Sequence, residues 1–399
     1  MAFWRQIKAP HNFFQIMETS TNTILVENTA KAENAHFGIV VDSIGTTGVG
    51  LVQALKKISP LSENKIAALL FQTPSMLFSG LPEQAAKEIN GLLLSTGLES
   101  RVVHKDEPFE PGDSGHEVAL VINDFEHIQD IAKEIIAITG LGIDEIRQLL
   151  CKSPTVMLGK ISQNTALVIQ QRFKAFNVAV DISKPDSALF DVFKGTCSAY
   201  EQGIIEQMLN GLGVEWNKAA NYNVASLLCG GISRPIADKL WQQTSRTSLP
   251  IKIVNRDFER FDLRLDQAPD TPEMMAYLAE STGMPEKIAQ KVVRQLPIIL
   301  HKNIRFDRVD EEIGKLNQLG AVSSAHLLVF QSFSLKIQAI KDLEGTLEVL
   351  KVVGGIDKGL ASQSILEKQQ LDGPFTSPQV RWLQHELKRI GTITSRILR

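Results

Sequence analysis

Cysteine is scarce in this chain. Cys151, Cys197 and Cys229 are the only three among 399 residues, and they stand in no CxxC or zinc-like spacing. Neither a disulfide framework nor a structural metal is expected from them, and a reducing compartment is. Long apolar runs are missing as well, none approaching the roughly 18 residues of a membrane span. The first residues lack a basic segment followed by a continuous apolar stretch and a small-residue cleavage site, so the expected location is the cytoplasm. An excess of one charge is also lacking: 42 Lys and Arg face 45 Asp and Glu, a net charge of -3. That balance supplies no field to draw a polyanion, and no nucleic-acid partner is expected. The eight histidines never fall at the i, i+4 spacing that sets two metal ligands on one helical face.

What is present is an ordinary globular composition, 43% apolar and 22% charged. The length exceeds what one hydrophobic core usually serves, so several folding units are expected. Self-similarity shows how they are arranged. Five apolar anchors, Leu81, Ile161, Ile232, Ile304 and Phe375, recur roughly every 70 to 80 residues. At one fixed distance after them stand Gly97, Asn177, Ser248, Gly320 and Gly391, mostly types that tolerate the left-handed conformation ending a helix. Between anchor and stop the apolar residues step by three and four, as at Ala166, Ile169, Phe173 and Phe176, which predicts one buried helix face. Ser162, Ser233 and Thr376 are the expected N-caps, and Pro82 and Pro235 sit near the first turn.

Upstream of the anchors, Pro60, Gly140, Gly211, Gly283 and Gly354 mark breaks between two helices. Pro74, Pro154 and Pro297 stop the second of these helices in three units, while Ala225 and Lys368 stand there in the others. Each unit opens with a strand-like run, FGIVV, VALVI, LFDVF, FDLRL or FSLKI, and closes with alternating apolar residues such as Val178, Val180 and Ile182. The pattern predicts an α+β chain of about five tandem units, each strand, helix, helix, strand, helix, strand. Their expected bounds are 36–107, 116–184, 188–256, 260–330 and 333–399, after an extension over 1–35 that carries Phe3, Trp4, Phe13, Phe14, Ile16 and Met17. Residues Pro108 to Ser114 read as a linker.

The second unit, IAKEIIAITGLGIDEIRQLLCKSPTVMLGKIS with NVAVDI after the next helix, resembles the C-terminal domain of the bacterial ribosomal stalk protein of the large subunit. The first unit's LLFQTPSMLFSGLPEQAAKEINGLLLSTGLESRV is similar to that domain's second half, and the other units join through the shared register. The resemblance implies a compact domain with a small antiparallel sheet covered by helices. It also implies a face, made of the first two helices and their glycine turn, of the kind that recruits translational GTPases through lysines. Lys133, Gly140, Leu141 and Gly142 match that face, and Ile143 and Arg147 adjoin it. Asp144 stands where the family has a further lysine, and Pro60 and Ala276 depart from the pattern in units one and four. The likeness is therefore to the domain and not to the stalk protein itself.

No catalytic constellation is visible. Gly45, Gly48 and Gly50 lie between a strand and a helix, yet the GxGxxG order and a following GK[ST] are absent, which favours a structural turn. Cys151 and Cys229 lie in apolar settings that suit small core residues. Asp310, Glu311 and Glu312 share a helix with Arg308 and Lys315, the pattern of a solvated charged face, although Glu312 falls on an apolar position of the register. The expected function is a non-enzymatic, multivalent adaptor or scaffold for protein partners, without cofactor or metal, with Lys133, Gly140, Leu141, Gly142, Ile143 and Arg147 as the partner-binding residues. Two alternatives stand beside it: a nucleotide-binding enzyme that uses the first unit's glycine loop, and a binder of translational-type GTPases through unit two.

Overall fold

The computed structural model describes residues 36–218 and 226–398, so the extension 1–35 and the Ala225 position lie outside the described residues. Among the described residues, fifteen strands form five three-stranded antiparallel sheets, and fourteen α-helices accompany them. The first segment runs β1 (Phe37–Ser43), α1 (Val49–Ile58), α2 (Glu63–Phe71), β2 (Ser75–Leu81), α3 (Glu83–Ser95) and β3 (Glu99–His104). The second repeats this order as β4 (His116–Ile122), α4 (Ile128–Thr139), α5 (Ile143–Leu150), β5 (Thr155–Ile161), α6 (Gln163–Lys174) and β6 (Val178–Ser183). In the third, β7 (Leu189–Lys194) is followed by α7 (Ala199–Gly211), β8 (Ser226–Ser233), α8 (Arg234–Thr244) and β9 (Ile251–Asn255). The fourth comprises β10 (Arg260–Gln267), α9 (Pro272–Thr282), α10 (Glu286–Val293), β11 (Ile298–Arg305), α11 (Phe306–Gln318) and β12 (Val322–Leu327). The fifth comprises β13 (Ser332–Ala339), α12 (Leu343–Val352), α13 (Lys358–Lys368), β14 (Gln370–Thr376), α14 (Ser377–Arg389) and β15 (Ile393–Leu398).

Every sheet has the same strand order, with the opening strand in the middle, the anchor strand on one side and the closing strand on the other. The anchors pair with the start of the central strand: Phe37 faces Leu81, His116 faces Ile161, Phe190 faces Ile232, Phe261 faces Ile304 and Phe333 faces Phe375. Just before the anchor, Gly80, Lys160, Gly231 and Asn303 take left-handed φ angles of 71°, 59°, 74° and 56°, where the register of the pairing shifts. This is a bulge that turns the chain toward the next helix. Asp191 and Asp262 fasten it in two segments by accepting from Gly231 N at 2.7 Å and Asn303 N at 3.3 Å.

The helix after each anchor forms as its sequence dictates. Ser162 and Thr376 accept from Thr165 N and Gln379 N, whereas Ser233 occupies the N-cap without a side-chain bond. Ala166, Ile169 and Phe173 are fully buried on α6, and Leu167 between them is exposed. The helices end at left-handed Gly97, Asn177, Gly320 and Gly391, but Ser248 takes no such angle. Gly140 and Gly283 close α4 and α9 as left-handed C-caps. Two expected breaks move: Gly211 is the last helical residue of α7 and the left-handed residue is Gly213, and Gly355 takes the angle in place of Gly354. Between β7 and β8 the described residues show one helix, α7, of the two expected, and residues 219–225 of this stretch lie outside the described residues. Pro74, Pro154 and Pro297, the three expected helix stops, all follow cis peptide bonds.

The described chain divides into two compact units, 36–150 with 155–184, and 151–154 with 185–398. Within the first, the buried hydroxyls of Thr73 and Thr165 meet at 3.2 Å and Ser162 N donates to Phe71 O at 3.0 Å, joining segments one and two. The expected linker is itself fastened, with Gly112 N donating to Pro74 O at 2.7 Å and Asp113 accepting from Gln163 N at 3.1 Å.

Within the second unit, an ion pair of segment three meets an aromatic ring of segment four. Buried Asp191 pairs with Arg256, whose guanidinium lies 4.6 Å over the Phe306 ring, and Phe306 N donates to the carbonyl of Glu259. Burial, then the neighbouring Asp191 carboxylate, pushes Glu259 up to about 9 against the smaller opposing pull of Arg256. At neutral pH Glu259 therefore keeps its proton. The unfolded chain would release that proton near the ordinary value of 4.5. Its stabilising contribution is thus fully present below about pH 4.5 and is lost progressively as pH rises toward 9. Glu259→Gln should flatten this decline. Urea denaturation from pH 5 to 9 tests it, and parallel curves for the two proteins would show that Glu259 is not held neutral.

Candidate functional site

The residues expected to bind a partner come together on α4, α5 and the turn between them. Lys133 of α4 is partly exposed and its ammonium contacts Asp130 at 2.7 Å. Gly140 caps α4 at φ 70°, donating to Ile136 O at 2.8 Å, and Leu141 N donates to the Thr139 hydroxyl. Gly142 is exposed, and its N–H donates to Glu145 Oε2 at 2.7 Å, so Glu145 reaches back to steady the start of α5. Leu141 and Ile143 are half-buried, and Arg147 pairs with Asp144. Asp144 thus neutralises the nearest guanidinium.

One side of this turn is already occupied. A Cβ on Gly140 would lie 2.9 Å from a methyl of Val49 at the start of α1, and one on Gly48 would lie 1.9 Å from the carbonyl oxygen of Ala137 on α4. The glycine loop of segment one is therefore the seat on which α4 rests. Arg172 of α6 completes the seat by donating to Thr47 O at 2.6 Å and Gly45 O at 3.4 Å while pairing with Glu134. Thr46 N donates to Gly97 O at 3.0 Å, and a Cβ on Gly45 would lie 2.1 Å from that same oxygen. Backbone carbonyls receiving an arginine, with N–H groups turned to the protein's own chain, account for the glycines by packing.

The thiols have ordinary explanations as well. Burial pushes Cys151 up to about 12, and burial together with Asp191 pushes Cys229 up to about 11, so both are held as thiols at neutral pH. Among the described residues, no group of three His, Cys, Asp or Glu side chains is placed to hold a metal ion. No helix there is long and apolar enough to cross a membrane.

A polar groove in segment four was not expected as a site. It is lined by Arg260, Ser281, His301, Lys302, Arg305, Arg308 and Glu312 and encloses about 410 Å³. Glu312 is buried and accepts from the Tyr277 hydroxyl at 2.7 Å and from Lys315 at 3.0 Å. Those partners hold its carboxyl below its ordinary value although burial opposes them. Burial lowers His301, whose Nε2 is buried without a hydrogen-bond partner. The one sequence signal for this groove was Glu312 standing on an apolar position of the helix.

No protein-family model, curated protein or solved structure matches the chain. The close approach at Gly48 carries an immediate expectation. Gly48→Val forces a side chain onto the Ala137 carbonyl and should destabilise the first unit by about 1–3 kcal/mol. Thermal denaturation measures this, and an unchanged melting temperature would show that the seat is dispensable.

Proposed function

We propose that the protein is a cytoplasmic, non-enzymatic adaptor that presents five related helical faces to protein partners. The observation that carries this reading is the fivefold recurrence of one strand order around a central opening strand, with helices packed on each sheet. A small domain copied in tandem gains extent rather than chemistry. Linked weak sites then reach an avidity that none has alone. We take the segment limits 36–107, 116–184, 188–256, 260–330 and 333–399 as the repeat units. Exposed apolar side chains on the helices of every segment, Leu94, Leu167, Trp241, Ile288 and Leu366 among them, support the reading, since each segment offers its own apolar contact.

The resemblance to the stalk C-terminal domain makes segment two the first face to test. Lys133, Leu141, Gly142, Ile143 and Arg147 lie on α4, α5 and the turn between them and are partly or fully exposed, and Gly140 caps α4. A translational-type GTPase is one occupant of that face, and another protein that reads the same apolar pair within a basic rim is the other. Capture of partners from the source cell followed by mass spectrometry identifies which. Lys133→Glu should leave stability within about ±0.5 kcal/mol, because the side chain is near 43% exposed. It should weaken the captured partner about tenfold or more, since a charge reversal at an interface rim opposes its complement. Equal affinity of the two proteins would overturn the use of this face.

A further inference from the structure

The five segments share a register, so each position in one has a counterpart in the others, and segment four breaks the pattern at one place. Eight residues after the anchor, Ile89, Ile169, Leu240 and Leu383 are buried core residues, and segment four has Glu312. Two residues before the left-handed cap of the first helix, segment two has fully buried Ile138 and segment four has Ser281. Three residues before the anchor, where Phe78, Leu158, Cys229 and Asp372 stand in the others, segment four has His301. These three replacements line one groove. Polar groups at core positions cost stability unless something satisfies them, and His301 Nε2 is left without a partner.

The rim changes in the same direction. Where segment two has Gly115, Gly159, Ser162 and Thr165, segment four has Arg260, Lys302, Arg305 and Arg308. Arg260 Nη1 donates to Asn303 O at 2.8 Å, which presents its guanidinium along the groove, and Arg305 contacts Asp307 at 3.2 Å. Arg308 lies 3.8 Å from Glu312, a loose contact, and its side chain is 64% exposed. The lining thus sets four cations against the single carboxylate of Glu312, which Tyr277 and Lys315 already engage. Guanidinium groups suit the tetrahedral oxygens of phosphate, and the volume of about 410 Å³ is that of a small-molecule site.

We propose that the fourth segment binds a small phosphate ester, its phosphate held by Arg260, Lys302, Arg305 and Arg308 and its hydroxyl-bearing body facing Ser281, His301 and Glu312. The reading of the chain as an adaptor neither requires nor supplies this site. With a neutral imidazole, a hydroxyl and a carboxylate, the inner wall offers both donors and acceptors, as a polyol needs. No bond is made or broken in the ligand.

Calorimetry on the full chain with sodium phosphate, glucose 6-phosphate and glucose tests the assignment. Saturable binding of both phosphate compounds, with glucose 6-phosphate the tighter and glucose silent, is the expected result, and both affinities should fall with added salt. The double variant Lys302→Glu, Arg308→Glu alters two exposed side chains and should keep the wild-type melting curve while losing at least tenfold in affinity for either compound. Glu312→Leu installs the residue found at Leu240 and Leu383, so the segment should fold, retain phosphate and lose its preference for glucose 6-phosphate. Absence of saturable phosphate binding, or binding undiminished in the double variant, overturns the site. Equal affinities for phosphate and glucose 6-phosphate in the wild type overturn the role given to the inner wall.

Discussion

The opening strand of each segment is hydrogen-bonded along both edges, and the rest of the segment is arranged around that fact. Val40 is fully buried in mid-strand and pairs with Met76 on one side and Arg101 on the other. With its backbone satisfied twice, the strand can be apolar along its whole length, and the helices need cover only what two flanking strands leave open. Three strands and a few helices bury little surface for their length. The segments compensate by joining laterally. In the first unit that junction is polar as well as apolar, with the buried Thr73–Thr165 hydroxyl pair and the part-buried Arg172 contacts. A satisfied polar contact in a buried junction fixes one arrangement where an apolar one would accept several.

The repeat was legible because it is periodic, and periodicity is what local physics writes into sequence. Anchors, N-caps at Ser162 and Thr376 and left-handed stops at Gly97, Asn177, Gly320 and Gly391 each follow from the demands of one strand end or one helix end. The displaced breaks at Gly213 and Gly355 show the limit: two glycines within three residues satisfy the same composition rule, and only the packed helix selects between them. The anchor bulge is not legible as a shared feature, since Lys160 gives no sign of left-handed backbone and the tolerant Gly80, Gly231 and Asn303 differ in kind from it. The glycine loop was legible as a turn, but its purpose depends on Ala137 and Arg172, which lie far along the chain. Of the groove in segment four, only Glu312 stood out, because Ser281 and His301 become neighbours only when helix and strand have met.

Segments that share one strand order differ where the fold tolerates it, and the two units differ in their junctions. Segments one and two keep apolar residues at the position of Glu312 and invest polarity in their mutual junction. Segment three brings a charged pair, Asp191 with Arg256, against Phe306 of segment four, with Glu259 uncharged beside it. An unpaired buried carboxylate would cost far more than a protonated one, so the raised affinity for the proton is how the junction tolerates the second acid. Departures from local preference that cluster in one place are expected where a protein serves a purpose other than its own stability.

The glycine at the start of α1 also bears on the order of the copies. At the matching cap the other segments carry His127, Ser198, Thr271 and Asp342, all with side chains that would enter the space filled by the Ala137 carbonyl. Only the first copy can accept a neighbour's helix so closely at that cap. The adjacency of segments one and two is therefore written into the backbone at this cap, since any side chain there would push α4 off its seat.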